Sequence, residues 1–108
     1  MRISEQQVQL AFDTLQGMAH AKARAAYEYS EKRLKRVLAI EAHQSNAKTV
    51  SERDNEALRS SAYENALEDF RLIASAYYEA RDQREASVAI IDAWRTQQSD
   101  QRALGRAG

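Results

Sequence analysis

Cysteine and proline are both missing from the 108-residue chain, and glycine occurs only at Gly17, Gly105 and Gly108. Without cysteine there is no disulfide, no iron–sulfur cluster, no thiolate zinc site and no thiol nucleophile. Without proline no helix interior meets an obligatory break, and two of the three glycines lie in the last four residues, where a soft point costs least. Phosphate-binding loops and dinucleotide fingerprints need closely spaced glycines, so neither is available. No apolar run approaches the about 20 residues that span a bilayer. The opening MRISEQQ lacks the apolar core of a secretory signal, so a cytoplasmic setting without a membrane partner is expected. An excess of one charge is missing too: 16 basic side chains balance 16 acidic ones. That balance argues against a generic DNA-coating protein and against an acidic disordered tail.

Alanine, glutamate, glutamine, arginine and leucine are abundant, and these residues lose little side-chain freedom in a helix. Length and composition together predict one all-α domain, close in make-up to coiled coils and long helices. Ser4 and Gln7 form a capping-box pair, and Ile3 and Val8 the matching hydrophobic staple, which places a helix start at Glu5. An apolar stripe follows through Val8, Phe12, Leu15, Ala19, Ala26, Leu34 and Val37, widened by Ala11, Met18 and Ile40; Lys22 and Ser30 interrupt it. One glycine need not end a helix, so the first helix is expected to run from about residue 5 to about residue 43. The polar stretch Gln44-Ser45-Asn46-Ala47-Lys48 is the turn candidate. Thr49 with Glu52, and Ser61 with Glu64, repeat the capping-box spacing, so the second helix is either continuous from Val50 or broken near Ser61. Its stripe runs through Tyr63, Ala66, Leu67, Phe70, Ile73, Ala74, Tyr77, Arg84, Val88, Ile91 and Trp94. Residues 1–98 read as a single helical-hairpin domain, and 99–108, with little periodicity, as a flexible tail.

A turn near 44–50 predicts a long antiparallel hairpin with position n opposite about 94 minus n. The basic block of Lys22, Arg24, Lys32, Arg33, Lys35 and Arg36 then faces residues 58–72, which overlap the acidic block of Glu52, Asp54, Glu56, Glu64, Glu68 and Asp69. Two helices cannot surround either apolar stripe, so a homodimeric four-helix bundle is the expected assembly. Phe12, Phe70, Tyr77, Trp94 and Arg95 are the candidate interface residues, since aromatic and arginine side chains dominate binding hot spots. For Trp94, packing against Ile3 and Val8 is the favoured alternative to an external partner.

Chemistry-bearing constellations are sparse. His20 and His43 are 23 residues apart, and neither lies three or four positions from a carboxylate, so no metal or cofactor site is expected. No serine sits in a strand–turn–helix elbow, and the adjacent carboxylates Glu68 and Asp69 read as solvated helix face. The stretch Arg24, Tyr27, Tyr29, Lys32, Arg33, Lys35 and Arg36 interleaves cations with tyrosines, the pattern with which a protein tracks phosphates and stacks bases of single-stranded nucleic acid. Glu28–Lys32 and Glu31–Lys35 are also helix-stabilising i,i+4 pairs, and a solvated face is the favoured reading of that stretch.

The segments Thr49-Val50-Ser51-Glu52-Arg53, Tyr63-Glu64-Asn65-Ala66-Leu67, Ala80-Arg81 and Ile91-Asp92-Ala93-Trp94-Arg95-Thr96 resemble small, uncharacterised helical-hairpin proteins of bacteriophage and prophage genomes. The likeness covers mainly residues 49–103 through loose motifs. It implies a phage-encoded accessory protein in the host cytoplasm and brings no catalytic residues. The expected function is therefore a non-enzymatic accessory protein that acts as a homo-oligomer on an unidentified protein partner. A nucleic-acid-binding accessory in replication or recombination is the alternative, and a structural or virion-assembly component the third.

Overall fold

A computed structural model of the chain describes residues 2–107. Four helices follow one another: α1 (Glu5–Gln16), α2 (Ala19–Gln44), α3 (Val50–Leu58) and α4 (Ser61–Ala107), with no strand among the described residues. Their contacts group into two compact units. One unit joins the segment up to Ala21 with the chain from Tyr78 onward, and the other comprises Lys22–Tyr77.

The capping signals act as the chemistry requires, with one shift of position. Ser4 makes the full box at α1: its hydroxyl accepts from the Gln7 backbone N–H, and the Gln7 side chain accepts from the Ser4 N–H. The staple residues Ile3 and Val8 are both buried. Thr49 caps α3 by accepting from the Glu52 N–H at 3.1 Å. The break in the second helix is real, but Ser60 caps α4, not Ser61. Its Oγ accepts from the Tyr63 N–H at 3.2 Å and donates to the Ala57 carbonyl at 2.7 Å, so one hydroxyl serves the end of α3 and the start of α4. The 44–48 turn is tied to α3: Arg53 Nε donates to the Ala47 carbonyl at 2.8 Å, and the Ser45 hydroxyl donates to the Glu56 carboxylate.

One expectation fails. The first helix is not continuous: Gly17 takes an extended backbone (φ −73°, ψ 164°), and its N–H closes α1 on the Asp13 carbonyl. Glycine lowers helix propensity by about 1 kcal/mol relative to alanine, and here the break also re-phases the inward face. The stripe steps from Leu15 to His20, five positions, where an unbroken helix would have turned Met18 or Ala19 inward. Met18 is left 63% exposed. The C-terminal segment is helical as well. Residues from Ser99 to Arg106 continue α4 and are exposed, because nothing in them stops a helix: no proline occurs, and a Cβ on Gly105 would touch nothing within 4 Å.

Burial along α4 follows a heptad. Tyr63, Ala66, Phe70, Ile73, Tyr77 and Ala80 are inward, then Ser87, Ile91, Trp94 and Gln98, in alternating steps of three and four that only the exposed Arg84 interrupts. In α2 the same steps run through His20, Ala23, Tyr27, Ser30, Leu34, Val37 and Glu41. Ser30, which breaks the apolar pattern of the sequence, is buried on this seam, whereas Ala26, Ile40, Leu67 and Val88 lie off it and are exposed. A 3.5-residue period, not 3.6, thus selects the core.

Within the Lys22–Tyr77 unit, α2 runs antiparallel to α4. Arg33 meets Asp69, and the Tyr27 ring contacts those of Phe70 and Tyr77, so position n lies opposite about 101 minus n. The expected register is displaced because the chain reverses through both the 45–49 loop and α3, which breaks from α4 at Arg59-Ser60. In the other unit Gln97 clamps the N-terminal segment. Its Oε1 accepts from the Ile3 N–H at 2.8 Å, and its Nε2 donates to the Ile3 carbonyl at 3.0 Å.

Two stability predictions follow from these local bonds. Ser60→Ala removes a cap and is expected to cost about 1 kcal/mol, visible as a lower Tm in a circular-dichroism melt; an unchanged Tm would mean that α3 and α4 do not depend on this hydroxyl. Gln97→Leu strands two half-buried backbone groups of Ile3, at a cost of roughly 1–3 kcal/mol. Amide hydrogen exchange should show faster exchange at Ile3 and Val8 while α3 is unaffected.

Candidate interaction surface

The basic–aromatic stretch of α2 divides between the seam and the solvent. Tyr27 is half-buried, stacked on Tyr77 at 4.8 Å between centroids and tilted against Phe70 at 5.4 Å. It is committed to the core, as are the two candidate interface residues it touches. Tyr29, two positions on, points away from the seam and is 67% exposed. The sequence carries the signal for this division: Tyr27 falls on the heptad with Ala23, Ser30 and Leu34, and Tyr29 does not.

The cations divide as well. Arg24 binds Glu28 at 3.1 Å, so Glu28 pairs one turn back and not with Lys32. Arg33 binds Asp69 at 3.1 Å across the hairpin. Lys32, Lys35 and Arg36 are exposed and make no ion pair among the described residues. The displaced register explains this: the 22–36 block faces the chain from about residue 65 onward, beyond Glu52, Asp54, Glu56 and Glu64. The broad neutralisation expected across the hairpin is thus one crossing ion pair. Glu68 is held instead by Arg71 on its own helix, through hydrogen bonds of 2.6 and 3.0 Å. Those bonds lower the Glu68 carboxyl below its ordinary value and raise the Arg71 guanidinium above its own.

The candidate interface residues form two clusters, one in each unit. Phe70 and Tyr77 join Tyr27 as described. Phe12 and Trp94 line one groove with Val8, Glu5 and Gln9, so Trp94 lies against the stapled N-terminal helix. Arg95 is exposed and lines a shallow groove with Trp94, Gln98 and Arg102. A more apolar groove, missed by sequence reasoning, lies where α2 meets α3 and is lined by Leu38, Ala39, Ala42, Asp54, Ala57 and Leu58. Only the α3 break could have revealed it, because that break folds Ala57 and Leu58 back onto α2.

Among the described residues no three potential metal ligands converge, and no helix is long and apolar enough to cross a membrane. No protein-family model, curated protein or solved structure matches the chain.

The two tyrosines separate stability from surface function. Tyr27→Ala removes a half-buried ring from the seam and is expected to cost roughly 2 kcal/mol, whereas Tyr29→Ala should stay within about 0.5 kcal/mol of the parent. Urea denaturation of both variants checks this, and equal effects would contradict the assignment of Tyr27 to the core.

Proposed function

We propose that this chain is a non-enzymatic accessory protein that works by protein–protein association, beginning with association with itself. An unfinished core supports this reading. Among the described residues no large side chain is fully buried. Leu10, Tyr29, Leu58, Leu67, Leu72 and Val88 are among the large apolar side chains left at the surface. Apolar surface of this kind is a common mark of an association site, and a helical bundle is the usual way for paired helices to cover it. The resemblance to phage-encoded hairpin proteins adds a setting, the cytoplasm of an infected or lysogenic host, in which a small non-catalytic adaptor acts.

Size-exclusion chromatography with light scattering tests the reading. A concentration-dependent mass approaching about 25 kDa, twice that of one chain, is expected. A strict monomer at high concentration would exclude self-association.

One observation favours a second reading. Tyr29 is exposed beside Lys32, Lys35 and Arg36, whose cations make no ion pair among the described residues, which suits an anionic polymer such as single-stranded nucleic acid. Fluorescence anisotropy with labelled single- and double-stranded DNA, at low and physiological salt, discriminates. Salt-sensitive binding that disappears when Lys32, Arg33, Lys35 and Arg36 become alanine would promote this reading. Absence of binding at both salts would remove it.

A further inference from the structure

The two broad faces of the Lys22–Tyr77 unit differ in charge pattern. The Arg33–Asp69 pair marks one of them. On that face and the outer edge beside it, α2 presents Lys22, Lys32, Arg33 and Arg36 with no acidic residue, and α4 presents Glu68 and Asp69, each bonded to one arginine of its own chain, Arg71 and Arg33. On the opposite face the signs are mixed within each helix, as with Arg24 and Glu28 in α2 or Glu64 and Arg71 in α4. The segregated face also holds exposed apolar groups from both helices: Tyr29 at 67%, Leu72 at 55% and Ile40 at 42%.

We infer that this face is the surface on which a second copy of the chain docks, with α2 of each copy lying antiparallel across α4 of the other. The inference rests on the self-association reading above and adds the surface and the geometry. Two flat helix pairs can meet face to face about a two-fold axis in two ways. An axis perpendicular to the helices sets α2 on α2, and Lys32 and Arg36 then confront their own copies. An axis parallel to the helices sets α2 on α4 at the same height, bringing Lys32 and Arg36 to Glu68 and Asp69 of the second copy. Like-charge juxtaposition disfavours the first arrangement and complementarity selects the second. Within this unit α2 and α4 lie side by side over Ser61–Tyr77, about 26 Å, and a face roughly 20 Å wide then offers about 500 Å² per copy, the size of a weak, reversible interface.

Reciprocal charge reversal in the full chain tests the geometry. Lys32→Glu with Arg36→Glu, and separately Glu68→Lys, which leaves the Arg33–Asp69 pair in place, should each weaken dimerisation by about tenfold or more in sedimentation equilibrium. An equimolar mixture should recover the parent affinity, because each reversed chain then meets its complement. Leu72→Arg, on the same face but outside the charge pattern, should abolish the dimer with far-ultraviolet circular dichroism unchanged. It serves as the test if a reversed chain fails to fold. Reversed chains that dimerise as tightly as the parent, or a mixture without recovery, would place the interface elsewhere and leave self-association standing. A parent chain that is monomeric throughout would overturn both. If the Lys32 and Arg36 reversals abolish DNA binding and leave the dimer intact, the basic ridge serves nucleic acid and this inference is wrong.

Discussion

Everything in this chain is organised around the seam of α4, a helix of 47 residues whose inward positions recur every three and four. A single helix of that length has no core of its own, so its apolar positions are stable only where another segment covers them. The chain supplies the cover piecewise. In one unit α2 lies along the first part of α4, with Tyr27 against Phe70 and Tyr77. In the other the N-terminal segment is held by the two bonds between Gln97 and the Ile3 backbone. Small side chains on the seam, Ala23 and Ser30 in α2 and Ala66 in α4, let the backbones approach and make room for the large rings opposite.

Breaks at Gly17 and Ser60 adapt the covering segments to that seam. The first resets the phase of the inward face, so that His20 takes the place a continuous helix would give to Met18 or Ala19. The second lets α3 fold back on α2, shifting the reversal towards the C-terminus and displacing the register by several residues. The electrostatic consequence is larger than the displacement itself. Blocks of opposite charge that overlapped in the expected register are displaced, Arg33–Asp69 crosses the hairpin, and Lys32, Lys35 and Arg36 make no ion pair among the described residues. A two-helix unit with a basic edge and an acidic edge is complementary to a second copy of itself, and this connects the register to the proposed assembly.

That connection also orders the functional readings. Apolar groups exposed outside the seam argue for association between proteins. The aromatic component of a nucleic-acid surface is reduced, because one of its two tyrosines is committed to the core. The cations that remain suit either partner, and the reciprocal charge pattern of α4 tips the balance toward a second copy.

The all-helical class, the caps at Ser4 and Thr49, the staple of Ile3 on Val8 and the turn after Gln44 were legible from residue types alone. Each depends on bonds or contacts spanning only a few residues, which local chemistry specifies. Most of the α4 stripe was legible for the same reason. The continuity of helices was not: Gly17 is compatible with a continuous or a broken helix, and the need to keep the seam inward decides between them. Nor was the role of Ser30 legible, since its polarity suggests exposure while its size suits a close helix crossing. The register across the hairpin, and with it the fate of Arg33, Lys32 and Arg36, belonged wholly to the tertiary structure. A shift of a few residues changes no local propensity, yet it changes every partner across the seam.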